Sequence, residues 1–143
     1  MYFQELNRTD ADTVFTVGKN IYSTSALFAG DVICFDVATF DGHRVTKPAT
    51  ANLNLPAGVA AEGIAINDIG IIQCYGFRND VDVGGTTSAV AGDQCIMANA
   101  SFDLAVITAG LEVGKGTHAP LYVIGTGYTP TTAIDKAVFI RCL

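Results

Sequence analysis

The sequence predicts an all-β fold: a small barrel or sandwich of about 8–10 short strands, with two pseudo-repeats as a candidate origin, in a single domain over residues 1–143. Three observations carry this. Val, Ile, Thr, Gly and Ala dominate, while the helix formers Leu, Glu, Lys, Arg and Gln are scarce; that composition suits pleated strands and tight turns. Turn signals recur at roughly the 8–12-residue spacing of sandwiches and barrels. No long window carries a helical period. A chain of 143 residues is long enough to bury a proper core, and two separate halves would each be small for one.

The elements follow in order. Thr13-Val14-Phe15-Thr16-Val17 alternates and reads as a first strand, with a turn at Gly18-Lys19-Asn20. Ala29-Gly30-Asp31 is a turn that launches a strand over 32–37. Asp41-Gly42 is a strong hairpin signal, and the polar segment His43-Arg44-Val45-Thr46-Lys47 after it reads as an edge strand. Residues 48–56 form a loop, 58–66 an apolar strand region, and Asn67-Asp68 a turn into a strand over 69–77. Residues 78–85 are polar and end at Gly84-Gly85, and within them Asp80-Val81-Asp82-Val83-Gly84 reads as an exposed turn. Strands over 104–108, 121–125 and 137–143 complete the set. The triplet Ala29-Gly30-Asp31 recurs as Ala91-Gly92-Asp93, and the Gln73-Cys74 ending of one strand resembles the Arg141-Cys142 ending of the last. Two copies of one unit would close a barrel or pack as a sandwich and hide their edges.

Charge excludes several function classes. The chain has 8 basic and 14 acidic residues, a net charge of −6 and only 15% charged residues. The basic residues form no run, which excludes a phosphate-neutralising stripe and so a nucleic-acid partner; the same holds for an anionic membrane surface. The start of the chain lacks a basic head followed by an apolar stretch, so the reading is a protein made in a cytoplasm and not exported by the ordinary route. No run of about 18 apolar residues exists. The shortage of charge fits a surface partly covered by protein, because obligate interfaces are apolar. Cys34, Cys74, Cys95 and Cys142 are far apart, each in an apolar run, and are expected as reduced, mostly buried thiols.

No catalytic, cofactor-binding or metal-binding constellation is expected. His43 and His118 are the only histidines and read as exposed loop residues. Gly114-Lys115-Gly116-Thr117 lacks the spacing and helix of a phosphate loop. Asp80-Val81-Asp82-Val83-Gly84 lacks the further oxygen ligands of a calcium loop, and Asp10-Ala11-Asp12 reads in the same way. The Gly-rich Gly125-Thr126-Gly127-Tyr128-Thr129 superficially resembles the arm of trimeric dUTPases, but Gly63-Ile64-Ala65-Ile66-Asn67-Asp68-Ile69 lacks that family's tyrosine and correctly spaced acid. Residues 1–12 read as an N-terminal segment with two alternatives: a tail or strand belonging to its own subunit, or an arm docking on a neighbour through Tyr2, Phe3 and Leu6.

The runs Ala29-Gly30-Asp31-Val32-Ile33-Cys34-Phe35-Asp36 and Asp41-Gly42-His43-Arg44-Val45-Thr46-Lys47-Pro48-Ala49-Thr50 resemble small proteins encoded beside phage major capsid genes. Gly58-Val59-Ala60, Gly70-Ile71-Ile72-Gln73-Cys74-Tyr75-Gly76 and Val138-Phe139-Ile140-Arg141 are similar too. The resemblance is to the capsid decoration (cement or head-stabilising) family. It implies a non-enzymatic β-rich virion protein, often a homotrimer, seated on the capsid surface with the major capsid protein as partner and no cofactor. A tail or fibre adaptor, a carbohydrate-binding β module and an unrecognised enzyme are the alternatives.

Overall fold

Alternating apolar residues and turn-forming dipeptides give nine strands among the residues described in this computed structural model, 13–39, 41–84, 94–106, 121–123 and 134–142. They are β1 (Val14–Asn20), β2 (Val32–Phe35), β3 (Arg44–Thr46), β4 (Pro56–Ala60), β5 (Ile69–Val83), β6 (Gln94–Met97), β7 (Leu104–Val106), β8 (Leu121–Val123) and β9 (Ile134–Arg141). The fold is all-β. Turn chemistry behaves as expected. Gly42 takes a φ of +72° and the Asp41 carboxylate accepts from the His43 and Arg44 amides at 3.2 and 3.1 Å, so β2 and β3 pair as an antiparallel hairpin. Asn67 supplies the left-handed residue of the turn into β5.

The strand order is β1-β3-β2-β4-β5-β7-β6-β8-β9, with β1–β5 and β5–β9 paired as well. The two extra pairings close the sheet twice. Strands β1, β3, β2, β4 and the first half of β5 form one five-membered ring; the second half of β5 with β7, β6, β8 and β9 forms another. The 15-residue β5 serves both. Tyr75 is the crossing point, pairing with Val14 of the first ring and Arg141 of the second.

The rings are copies of one wiring. In the first, β1–β3 is parallel and β3–β2, β2–β4, β4–β5 and β5–β1 are antiparallel; in the second, β5–β7 is parallel and β7–β6, β6–β8, β8–β9 and β9–β5 are antiparallel. Register agrees residue by residue. Phe35 faces Val45 as Met97 faces Leu104, and Val32 faces Val59 as Gln94 faces Tyr122. Gln94 follows Val32 by 62 positions, the spacing of the two Ala-Gly-Asp triplets. The first triplet shows why it recurs: Gly30 has φ +97° and the Asp31 carboxylate accepts from the Phe28 amide at 2.8 Å, which turns the chain into β2. The second triplet lies outside the described residues.

Each ring has its own apolar filling. Leu27, Ile33, Val45, Ala57, Ala60, Ile64 and Ile72 fill the first. Val81, Val83, Cys95, Met97, Leu104, Val138 and Ile140 make the second cluster, joined by Val32, Cys34 and Val59 from the outer side of β2 and β4. The rings therefore share a packed boundary, with Cys34 Sγ 3.0 Å from Met97 Sδ.

Four sequence expectations are corrected. Gly18-Lys19-Asn20 continues β1 instead of turning: Gly18 lies over Ile72 and Val45, and buried Asn20 donates its side-chain amide to the Ile64 carbonyl at 3.0 Å. The segment at 44–46 is not an edge, because β1 and β2 flank it. Residues 80–83 are strand rather than exposed turn, since Val81 and Val83 point into the second apolar cluster and are both fully buried. The Cys74 and Cys142 endings are not equivalent: Gln73 occupies the place that Phe139 occupies in the second ring, so Cys74 corresponds to Ile140.

Candidate assembly surface

Strands β1 and β5 carry apolar residues on both faces. On the inner face, Thr16 lies opposite buried Ile72. On the outer face, Val17 lies opposite Ile71, Lys19 opposite Ile69 and Phe15 opposite Gln73. There Phe15 is 52% exposed, Val17 60%, Ile69 68% and Ile71 43%, so four large apolar side chains stand together in solvent. A groove of about 650 Å³ runs along this face, lined by Phe15, Thr16, Val17, Ala61, Glu62 and Ile71.

The flanks of the face have opposite charge. Glu62 stands on the β4 side, where its Oε1 accepts from the Ile71 amide at 2.9 Å. Lys19 stands on the β1 side, and among the described residues neither it nor Glu62 forms an ion pair. Among the described residues, the outer edge of β1 is paired only at its end. β3 pairs only with Lys19 and Asn20, and Lys19 donates its amide to His43 O at 2.8 Å. Alternation along the strand directs the Phe15 and Val17 amides to the same side, where no described strand lies.

Tyr2, Phe3 and Leu6, together with Asp10, Asp12, His118 and the Gly114–Thr117 and Gly125–Thr129 stretches, lie outside the described residues. His43 is exposed beside Asp41, with Nδ1 3.3 Å from its carboxylate. Asp80 is held by Arg78, Nε to Oδ1 at 2.6 Å and a terminal nitrogen to Oδ2 at 2.8 Å, a structural pairing within β5. Among the described residues no three His, Cys, Asp or Glu side chains are grouped to hold a metal ion. Cys34, Cys74 and Cys95 are buried free thiols and Cys142 is half-buried. Burial pushes the Cys34 and Cys142 thiols up to about 12 and raises Cys74, which disfavours the nucleophilic thiolate. Sequence reading missed Phe15, Val17, Ile69 and Ile71 as a surface. The signal that could have found them was apolar residues at both parities of a strand, which marks a strand covered on both faces.

No family model and no curated protein sequence matches this chain. Among solved structures it is similar to the N base of the head fiber protein gp8.5 of bacteriophage phi29, with a TM-score of 0.52 and 11% identity over 92% of this chain and 96% of that one. At that identity the likeness is one of fold.

Proposed function

We propose that this chain is a structural protein of a phage head, bound to the outside of the shell and stabilising it without chemistry. The carrying observation is a fold shared along nearly the whole length of both chains with the base of a phage head fiber. The exposed apolar face of β1 and β5 supports it, because a contiguous apolar patch of several hundred square ångströms marks an interaction site. The partners proposed are the major capsid protein and further copies of this chain, a trimer being the arrangement that suits shell sites of threefold character. Stabilisation follows from mass action: a protein that binds the assembled shell and not its dissociated parts shifts the equilibrium to the shell. Several linked contacts make each later one intramolecular. Tyr2, Phe3 and Leu6 are proposed as one shell contact, an arm ordered on binding.

Co-sedimentation with undecorated shells of the same phage tests this, followed by heating of the complex. The expected result is saturable binding and a higher temperature of shell disruption. Failure of the full chain to bind its own shells would overturn the proposal. Deleting residues 2–10 should reduce binding while leaving the fold intact; unaltered binding removes only the arm. The fiber-base likeness favours a second reading, a pedestal for a head fiber, distinguished by whether particles lacking this protein also lose a projecting fiber.

A further inference from the structure

We infer that the outer face of β1 and β5 packs against a second copy of this chain, with Lys19 of one copy against Glu62 of the next. The inference deepens the reading above and rests on its homo-oligomer.

Three observations identify the occupant. The first is area. Phe15, Val17, Ile69 and Ile71, at 43–68% exposure, leave on the order of 400 Å² of apolar surface in one patch. That is about half of the ~800 Å² each partner contributes to a standard interface, and an apolar centre of this share with a polar rim is how homo-oligomer interfaces are built. The second is charge. The base stands on the β1 flank and the acid on the β4 flank of the face that carries Val17, Ile69 and Ile71. A surface with a positive and a negative flank is its own complement when copies are arranged head to tail about an axis, since each Lys19 then meets the neighbour's Glu62. The third is the edge of β1, where no described strand pairs with the Phe15 and Val17 amides. An apolar strand with an uncovered edge invites pairing with another chain, and soluble proteins ordinarily blunt such an edge with charge or proline. Residues 14–18 carry neither.

A head-to-tail contact closes into a ring when its rotation divides a full turn. The apolar faces would then line the symmetry axis and the two flanks would alternate around it.

The test is light scattering coupled to size exclusion, or sedimentation, on the full chain at micromolar concentration. The wild type is expected to be a closed oligomer. Val17→Asp and Ile71→Asp each place a charge in the centre of the face and should give monomers. Both side chains are largely outside the core, and far-UV circular dichroism with a melting curve verifies that the variants fold. Lys19→Glu alone and Glu62→Lys alone should each weaken assembly at least tenfold, and the double exchange K19E/E62K should recover most of it. A monomeric wild type overturns the inference, as do Val17→Asp and Ile71→Asp variants that assemble like wild type or a double exchange no better than its singles. Variants that stay oligomeric but no longer co-sediment with shells would assign the face to the capsid protein and overturn it too. A monomer that still binds shells would remove this inference and leave the head-protein reading standing.

Discussion

Gly58 is a position where the double-ring fold leaves no room for a side chain. It lies on β4 opposite Ile33, next to a register shift, and has φ +138°. A Cβ at this position would overlap the Gln73 carbonyl oxygen of β5 and stand 2.9 Å from Ile72 Cγ2. The obstruction is backbone, which no rotamer change relieves. Gly58→Ala therefore combines strain of roughly 1–3 kcal/mol from a backbone region that L-residues avoid with overpacking of roughly 1–3 kcal/mol. Gly42 is the internal control: its φ is +72° but a methyl group there would meet no atom within 4 Å, so Gly42→Ala should show the left-handed penalty alone, about 1 kcal/mol. At roughly 3–4 °C per kcal/mol for a chain of this size, Gly42→Ala should lower Tm by about 3–4 °C and Gly58→Ala by about 6–24 °C. The chain has no Trp, so far-UV circular dichroism is the probe, in heat and in urea and at one protein concentration, since the proposed oligomer would contribute to Tm. A Gly58→Ala variant within about 0.5 kcal/mol of Gly42→Ala would refute the close approach of β4 to β5 on which the first ring depends.

Three further outcomes are expected. Ile72→Ala removes a fully buried side chain from the first ring and should cost about 2–5 kcal/mol in urea denaturation; a loss under about 1 kcal/mol would mean that the ring core is not packed as described. Cys34 and Cys142 have thiol pKa values raised from 9.0 to about 12 by burial, so the unfolded chain ionises first; stability should be level below pH 9 and fall between pH 9 and about 12, less steeply in a Cys34→Ala/Cys142→Ala variant, and native thiols should alkylate slowly compared with denatured ones. Burial raises the Asp31 carboxyl, against the opposing hydrogen bond from the Phe28 amide and with Asp103 nearby adding to the rise. Asp31→Asn keeps an acceptor for that amide and removes the buried charge, so it should match wild type at pH 7 within about 0.5 kcal/mol, whereas Asp31→Ala should cost about 1–3 kcal/mol by leaving the amide unpaired; equal losses in melting experiments would show that the carboxylate itself is required.

Local chemistry was legible. Asp41-Gly42 and Asn67-Asp68 turn the chain because side-chain acceptors and left-handed backbone are properties of those residues alone. The strands around Val32, Ile69, Leu104 and Leu121 could be placed because apolar alternation is local as well. Polar interruptions hid the rest: Asn79, Asp80 and Asp82 concealed a strand, and Gly18 and Asn20 suggested a turn inside β1. The exposed apolar face was legible only as a shortage of charge, since which apolar residues remain exposed depends on what covers them.

By itself, then, the sequence determined an all-β chain, its principal turns, the burial of three of its four cysteines and, through two Ala-Gly-Asp triplets 62 positions apart, a repeated unit. The tertiary structure decided that the repeats close two rings instead of one, that a single strand, β5, is divided between them at Tyr75, and that Phe15, Val17, Ile69 and Ile71 are left facing solvent. The physical reason is range. Turn preference and alternation act over roughly two to four residues, whereas ring closure pairs Val14 with Tyr75 and Tyr75 with Arg141, contacts that are chosen by the packing of the whole sheet.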